Sequence, residues 1–217
     1  MIEVEVRSPL LPNIAARLTP KLETMHLCEE KASQDGYYDT PQFDLLRHRQ
    51  VVFARLREGK LLQFKFDEDS TSQERIACIE REFVISADSF PEKAHCLFHS
   101  FLPAWQTATT WEQVLMCNNL VELACIEKKR RAYIDGTLII TIDQVKGLGN
   151  FVEIEQRCQE GTNIREAEER VHAFLAEIGG TPLRAGYLEM WLYKHNAVAY
   201  QFVPSRFHIE KELLNFL

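Results

Sequence analysis

The sequence lacks the signatures of several protein classes. Its six cysteines form no C-x-x-C pair and its seven histidines show no ligand spacing, so a zinc site has no support. No apolar run is long enough to span a membrane. The N-terminal residues Met1 to Glu5 are too polar for the apolar core of a signal peptide. We therefore expect free thiols, a cytoplasmic location and no membrane partner.

The sequence also lacks an excess of positive charge. The formal net charge is -7, with 32 acidic residues against 25 lysines and arginines. Such a balance gives no electrostatic case for non-specific binding to nucleic acid, which we do not expect as a partner. Any anion must be bound by a local basic cluster or through metal ions. The 217 residues suit one domain with additions, acting as a monomer or a homodimer.

Segments in which apolar and polar residues alternate are typical of β-strands. Short connections at Gly59, at Asp135-Gly136 and at Gly147 to Asn150 predict hairpins and hence an antiparallel meander. The predicted strands are Ile2–Arg7, Met25–Asp39, Val51–Arg57, Leu61–Phe66, Ile79–Ile85, Leu123–Ile134, Leu138–Val145 and Phe151–Gln156.

Helical patterns interrupt the strands. One helix is predicted from an N-cap at Asn163 to a stop at Gly179, and another near Leu11 to Leu18. Further helices are predicted at Pro91–Asn118, Tyr187–Tyr193 and Ser205–Leu217.

Charged side chains share one face of strand after strand. Glu3, Glu5 and Arg7 lie on one face of the first strand, with Val4 and Val6 on the other. An open sheet with a solvated face would explain alternation, but its polar face should mix threonine, serine and charged residues. Here the polar faces are nearly all long charged residues, which favours a barrel with a polar interior. The predicted fold is α+β: a closed antiparallel β-barrel with helices packed outside.

A polar interior that carries both signs of charge has a definite chemical use. Buried charges are costly unless they are paired or bind ions. Carboxylates suit Mg²⁺ or Mn²⁺, whereas arginine and lysine suit phosphate oxygens. A ligand with a chain of phosphates and a divalent metal would neutralise both sets together, so the pattern predicts a triphosphate site.

At these residues the sequence resembles the CYTH superfamily, the triphosphate tunnel metalloenzymes. The hallmark ExExK of that family reads Glu3-Val4-Glu5-Val6-Arg7 here, with arginine in place of lysine. Further matching blocks follow in the family's order along almost the whole chain. They are Tyr37-Tyr38-Asp39-Thr40-Pro41, Arg55-Leu56-Arg57, Lys65, Glu80-Arg81-Glu82, Glu127-Lys128-Lys129-Arg130, Asp143, and Gly147 to Glu155.

The resemblance implies an eight-stranded tunnel and roles for the charged residues in it, with Mg²⁺ or Mn²⁺ as cofactor. The implied metal ligands are Glu3, Glu5, Asp143, Glu153 and Glu155. The implied phosphate ligands are Arg7, Arg55, Arg57, Lys65, Lys128 and Arg130. Glu80 and Glu82 would support them, and the expected catalytic residues are Glu5, Lys65 and Glu155. Tyr187 and Glu189 lie either at a tunnel mouth on the C-terminal helix or, as such residues more often do, only pack that helix; no catalytic role is expected for them.

Three functions remain open at this stage. The first is hydrolysis of a triphosphate, either inorganic triphosphate or, from the Tyr37 to Pro41 block, thiamine triphosphate. The second is a class IV adenylate cyclase, whose members typically carry an HF-containing segment before ExExK; only Met1 and Ile2 precede Glu3 here. The third is a non-catalytic polyphosphate- or nucleotide-binding module. Hydrolysis is the expectation.

The expected domain organisation follows the extent of the matching motif blocks along the chain. Residues 1–195 form the tunnel domain, with a helical insertion at about 91–118, and residues 196–217 form a helical extension.

Overall fold

The computed structural model describes residues 2–66, 77–159, 163–204 and 208–209. All eight predicted strands are confirmed, with ends that differ by a few residues. The strands are β1 Ile2–Pro9, β2 His26–Asp39, β3 Phe53–Arg57, β4 Leu61–Phe66, β5 Ala77–Val84, β6 Val121–Asp135, β7 Leu138–Val145 and β8 Gly149–Cys158. The helices are α1 Pro12–Leu22, α2 Glu92–Phe101, α3 Trp111–Cys117, α4 Arg165–Glu177, α5 Tyr187–His195 and α6 Ala197–Tyr200.

The eight strands form one closed barrel in which every neighbouring pair is antiparallel. Their order around the barrel is β1-β5-β4-β3-β2-β6-β7-β8. The hairpin from β6 to β7 turns at Gly136, whose φ of 59° is one that glycine adopts without strain. A short ladder between β1 and β5, in which Ile2 pairs with Ile79, completes the circle. The prediction of a closed antiparallel barrel is confirmed.

Two apolar clusters cover the outside of the barrel. In one, Val4, Val6 and Ile154 turn away from the lumen and pack with Leu18 of α1 and Val171 of α4. In the other, strands β3 and β4 pack against α2 and α3, including a stack of rings around Phe98. The outward apolar residues of β1, β3, β4 and β8 therefore lie beneath helices, and their charged neighbours point inward.

The barrel interior is not polar throughout, contrary to the expectation from the strand pattern. Phe151 lies on the same face of β8 as Glu153, yet it is fully buried and belongs to an apolar cluster with Val145 and Ile126. This cluster includes Leu188 and Leu192 of α5. Helix α5 thus packs on apolar residues of the inner face, and the charged lumen occupies only part of the barrel.

The helix predictions hold with two corrections. Helix α4 begins at Arg165 with Ile164 at the N-cap, and Asn163 only accepts a hydrogen bond from the Arg165 amide at 3.1 Å. Helix α1 runs through Pro20 and ends at Leu22. The predicted helix Ser205–Leu217 lies outside the described residues except at 208–209. No helix in the described ranges is both long enough and apolar enough to cross a membrane.

A buried carboxylate organises the loop that leads into β3. Asp39 ends β2 and is 1% exposed. Its Oδ1 accepts the amides of Thr40 at 2.7 Å and Leu45 at 2.9 Å, and its Oδ2 accepts the amide of Leu46 at 2.9 Å. The loop from 40 to 52 is thereby tied to the strand before β3 begins.

We predict that Asp39→Ala lowers the free energy of unfolding by about 3 kcal/mol, because it leaves three amides without their acceptor. Chemical denaturation measures the loss. Asp39→Asn keeps an acceptor oxygen and should lose clearly less. Equal stability of Asp39→Ala and the wild type would show that the loop does not depend on this carboxylate.

Candidate active site

The inward-facing charges surround one cavity of about 130 Å³. Nearly all the residues implied by the resemblance line it, and they come from six of the eight strands. The lining residues are Glu3, Glu5, Arg7, Arg55, Arg57, Lys65, Glu80, Glu82, Lys128, Arg130, Glu153 and Glu155. Asp143 is fully buried and lies behind Arg130 instead of on the cavity wall. Residues that are up to 152 positions apart in the chain thus share one space.

Two arginines and two carboxylates form a compact group on β1, β6, β7 and β8. Arg7 Nε donates to Glu153 at 2.7 Å, and Arg130 reaches the other oxygen of Glu153 at 2.5 Å. Arg130 also makes a two-pronged contact with Asp143, with Nε at 2.8 Å from Oδ1. Burial alone would raise the pKa of Glu153, but the Arg7 and Arg130 cations hold it well below its usual range.

Three cations converge on one carboxylate of β2. Asp35 lies 3.0 Å from Arg57 Nε, 3.2 Å from Lys128 Nζ and 3.8 Å from Arg55. Although burial opposes ionisation, these cations keep the pKa of Asp35 well below its ordinary value. Burial and the neighbouring Arg130 cation lower the pKa of Lys128 to about 8. Arg55, Arg57 and Lys128 are therefore held together by one buried anion.

Carboxylates outnumber cations around Lys65. The Lys65 ammonium contacts Glu3 directly and lies 3.6 Å from Glu5 and 3.9 Å from Glu80. Burial would lower the pKa of Lys65, but Glu3 and Glu5 raise it well above its usual value. Glu82 accepts from the Gln63 amide, so both carboxylates of β5 face this end. This group is called the acidic end below.

Glu155 is the most perturbed carboxylate of the acidic end. It is 6% exposed and accepts a hydrogen bond from Arg157 Nε at 2.6 Å. Burial and the nearby Glu3 carboxylate raise its pKa to about 8, against an ordinary 4.5. Two acidic groups that repel each other at one place are a common feature of functional sites.

Sequence reasoning missed Asp35 and Arg184 and left the positions of Tyr187 and Glu189 open. Asp35 has no charged neighbour two positions away on its strand face, and its contact with three cations follows only from the pairing of β2 with β3 and β6. Tyr187 is 6% exposed, lines the cavity and donates its hydroxyl to Asp143 at 2.9 Å. Arg184 and Glu189 also line the cavity. No pattern in the sequence distinguishes these three, because they reach the lumen from outside the strands.

The donor chemistry of the acidic end fits a divalent cation. Glu3, Glu5 and Glu155 offer the hard oxygen ligands that Mg²⁺ and Mn²⁺ prefer. A cation would relieve the repulsion that raises the pKa of Glu155. Within the described ranges no three histidine, cysteine, aspartate or glutamate side chains are already gathered as a metal site. Lys65 and Arg157 pair with these carboxylates instead.

Solved structures share this architecture. A protein from Pyrococcus horikoshii is 25% identical, with a TM-score of 0.63 over 89% of this chain and 99% of that chain. A candidate adenylate cyclase from Vibrio parahaemolyticus is 18% identical, with a TM-score of 0.59 over 88% and 97% of the two chains. A candidate adenylyl cyclase from Hippeastrum, described as having a dominant triphosphatase activity, is 18% identical, with a TM-score of 0.53 over 89% and 94%. At 18% identity, these last two likenesses show a common fold.

A family model matches most of the chain as well. No curated protein sequence matches this chain. The model for the CYTH domain covers residues 1–183, which includes the whole barrel and every wall residue that the strands supply. Members of this family are triphosphatases and cyclases, and in general they depend on metal ions. The chain belongs to the CYTH domain family.

Proposed function

We propose that the protein hydrolyses a triphosphate to a diphosphate and orthophosphate with the help of Mg²⁺ or Mn²⁺. One observation carries the proposal: the same cavity inside the barrel is lined by a basic wall, formed by Arg7, Arg55, Arg57, Lys128 and Arg130, and by the acidic end. A binding module for polyphosphate would gain little from the acidic end, because carboxylates repel phosphate. A triphosphate with its metal ion complements both parts at once.

The basic wall is the proposed phosphate site. Arg55, Arg57 and Lys128 converge on Asp35, and Arg7 and Arg130 converge on Glu153. A triphosphate would bind by replacing these carboxylates as the partner of the cations. The buried cations would therefore stay paired with negative charge throughout binding. The guanidinium groups can take phosphate oxygens two at a time. Positioning and charge neutralisation would then provide much of the rate acceleration.

The acidic end is the proposed reaction centre. Glu3, Glu5 and Glu155 would hold the metal ion, with Glu153 as a further ligand once Arg7 and Arg130 turn to the substrate. Asp143, which the resemblance also implied as a metal ligand, lies behind Arg130 and would stay with that arginine. The bound ion supplies charge neutralisation on the phosphates and lowers the pKa of water. Glu155, ionised when the ion is bound, would take a proton from the attacking water, and the Lys65 ammonium would bind the terminal phosphate. Glu80 and Glu82 keep Arg55 and Gln63 in place.

The substrate is proposed to be inorganic triphosphate or thiamine triphosphate. Purified protein would be given each of these and ATP, with Mg²⁺ or Mn²⁺ and with chelator as control. We expect orthophosphate from at least one of the first two, and none with chelator. Cyclic AMP and diphosphate from ATP would identify a cyclase instead. Binding of triphosphate without turnover in any condition would contradict the proposal and support a binding module.

We predict that Glu5→Gln and Glu155→Gln each lower kcat by roughly 100-fold or more while the fold is kept, because each removes a charge at the proposed reaction centre. Phosphate release measures kcat, and circular dichroism checks the fold. Glu127→Gln is the matched control, since Glu127 is exposed, pairs with Lys146 at 2.8 Å and does not line the cavity. Near-normal turnover in both active-site variants would remove the metal assignment.

The stability of the metal-free protein should fall as the pH rises from about 4.5 to about 8. Burial and Glu3 raise the folded-state pKa of Glu155 to about 8. The stabilisation from its protonated form is therefore complete below the unfolded value and is lost as the pH passes the folded value. Thermal unfolding across this range measures the slope. Mg²⁺ should reduce it, and Glu155→Gln should show a shallower slope, the remainder coming from Asp39, whose pKa burial raises to about 6. Equal slopes in wild type and variant would contradict the prediction.

A further inference from the structure

The chain leaves α4 and returns to the barrel at Arg7. The amide of Leu183 donates to the carbonyl of Arg7 at 2.8 Å, and the Arg7 guanidinium donates to the carbonyl of Ala185 at 3.4 Å. Gly186 follows as the N-cap of α5. A Cβ on this glycine would lie 2.6 Å from a carboxylate oxygen of Glu189 and 3.6 Å from the Arg7 guanidinium. The first turn of α5 therefore lies directly against the basic wall.

Tyr187, the first residue of α5, contacts two of the proposed phosphate ligands with its ring and reaches a third through Asp143. Its hydroxyl donates to Asp143 at 2.9 Å, and Asp143 holds Arg130 by two bonds. The face of its ring lies 4.2 Å from the Arg7 guanidinium carbon and 5.5 Å from Lys128 Nζ. Burial and the Glu153 and Asp143 carboxylates raise the pKa of Tyr187 well above its usual value, so its hydroxyl remains a donor.

These contacts leave the arginine donors available for a ligand. A cation over an aromatic face is stabilised by the ring without donating a hydrogen bond to it, so its N–H groups can still donate to a ligand. When Arg7 and Arg130 exchange Glu153 for phosphate oxygens, they lose the partner that now orients them. The ring beneath Arg7 and the hydroxyl on Asp143 would remain, so both guanidinium groups would keep their places.

We propose that Tyr187 is a positioning residue of the phosphate site, acting on Arg130 through Asp143 and on Arg7 through its ring. The inference rests on the proposed function for the role of the two arginines. It goes beyond the family match, which ends at residue 183. It also gives α5 a second role, because the helix that packs inside the barrel would help to arrange the residues that bind substrate.

The chain provides a matched control on the same helix. Tyr193 is 41% exposed and packs edge-on against Tyr200 at 5.2 Å between ring centroids. It does not line the cavity. Tyr193→Phe therefore removes a hydroxyl from α5 without touching the basic wall.

The first measurement compares steady-state kinetics and binding of inorganic triphosphate in Tyr187→Phe, Tyr193→Phe and wild type. We expect Tyr187→Phe to raise KM and the dissociation constant about tenfold, the size of losing one hydrogen bond to a charged group. The change in kcat should be smaller, and the unfolding midpoint should stay near that of the wild type. Tyr193→Phe should match the wild type throughout. A Tyr187→Phe variant with wild-type KM and affinity would overturn the inference while leaving the triphosphatase proposal intact.

The second measurement does not depend on substrate. In isotopically labelled protein, the Nε–H proton of Arg130 should exchange with water faster in Tyr187→Phe than in wild type or Tyr193→Phe, because Asp143 holds it less firmly. Unchanged exchange would overturn the inference even if no triphosphate is bound. Wild-type protein that neither binds nor hydrolyses triphosphate would defeat the proposed function, and the exchange rates would still decide whether Tyr187 positions Arg130.

Discussion

The structure depends on the mutual neutralisation of charges inside a closed barrel. Isolated charges at this depth would be strongly destabilising, and each tolerates burial because an opposite charge lies within reach. Asp35 compensates Arg55, Arg57 and Lys128, and Glu153 compensates Arg7 and Arg130. Removing one member leaves the others exposed to the full cost of desolvation. The stability of the barrel therefore depends on all members of these charge clusters together.

This network also explains how such a site can bind a highly charged ligand. The cations are already ordered by carboxylates, so a triphosphate would meet preorganised donors and would not have to collect flexible side chains from solvent. The acidic end is less well compensated, as the raised pKa of Glu155 beside Glu3 indicates. That imbalance makes it the place where added positive charge would be most favourable. A bound metal ion would thus neutralise the excess negative charge of the acidic end, and the triphosphate would neutralise the cations of the basic wall.

Helix α5 links the apolar and charged parts of the interior. Leu188 and Leu192 pack with Phe151 on the inner face of the barrel, while Tyr187, at the start of the helix, lies against Arg7 and Asp143. One short element therefore buries apolar surface and borders the charged cavity. Its residues come after the barrel strands and carry no alternation, which is why their position could not be derived from a strand pattern.

Much of the barrel could be predicted because alternation is a local property of the chain. The face shared by Glu3, Glu5 and Arg7 follows from the geometry of a strand, and so does the outward turn of Val4 and Val6. The sequence alone is therefore enough to place the charged residues of the repeated strand faces in one lumen. What tertiary structure alone decided is which charge faces which. Asp143 lies behind Arg130, Asp35 gathers three cations, and Tyr187 reaches the lumen from a helix. Such partners come from strand order and register, which depend on contacts between distant segments and leave no periodic trace in the sequence.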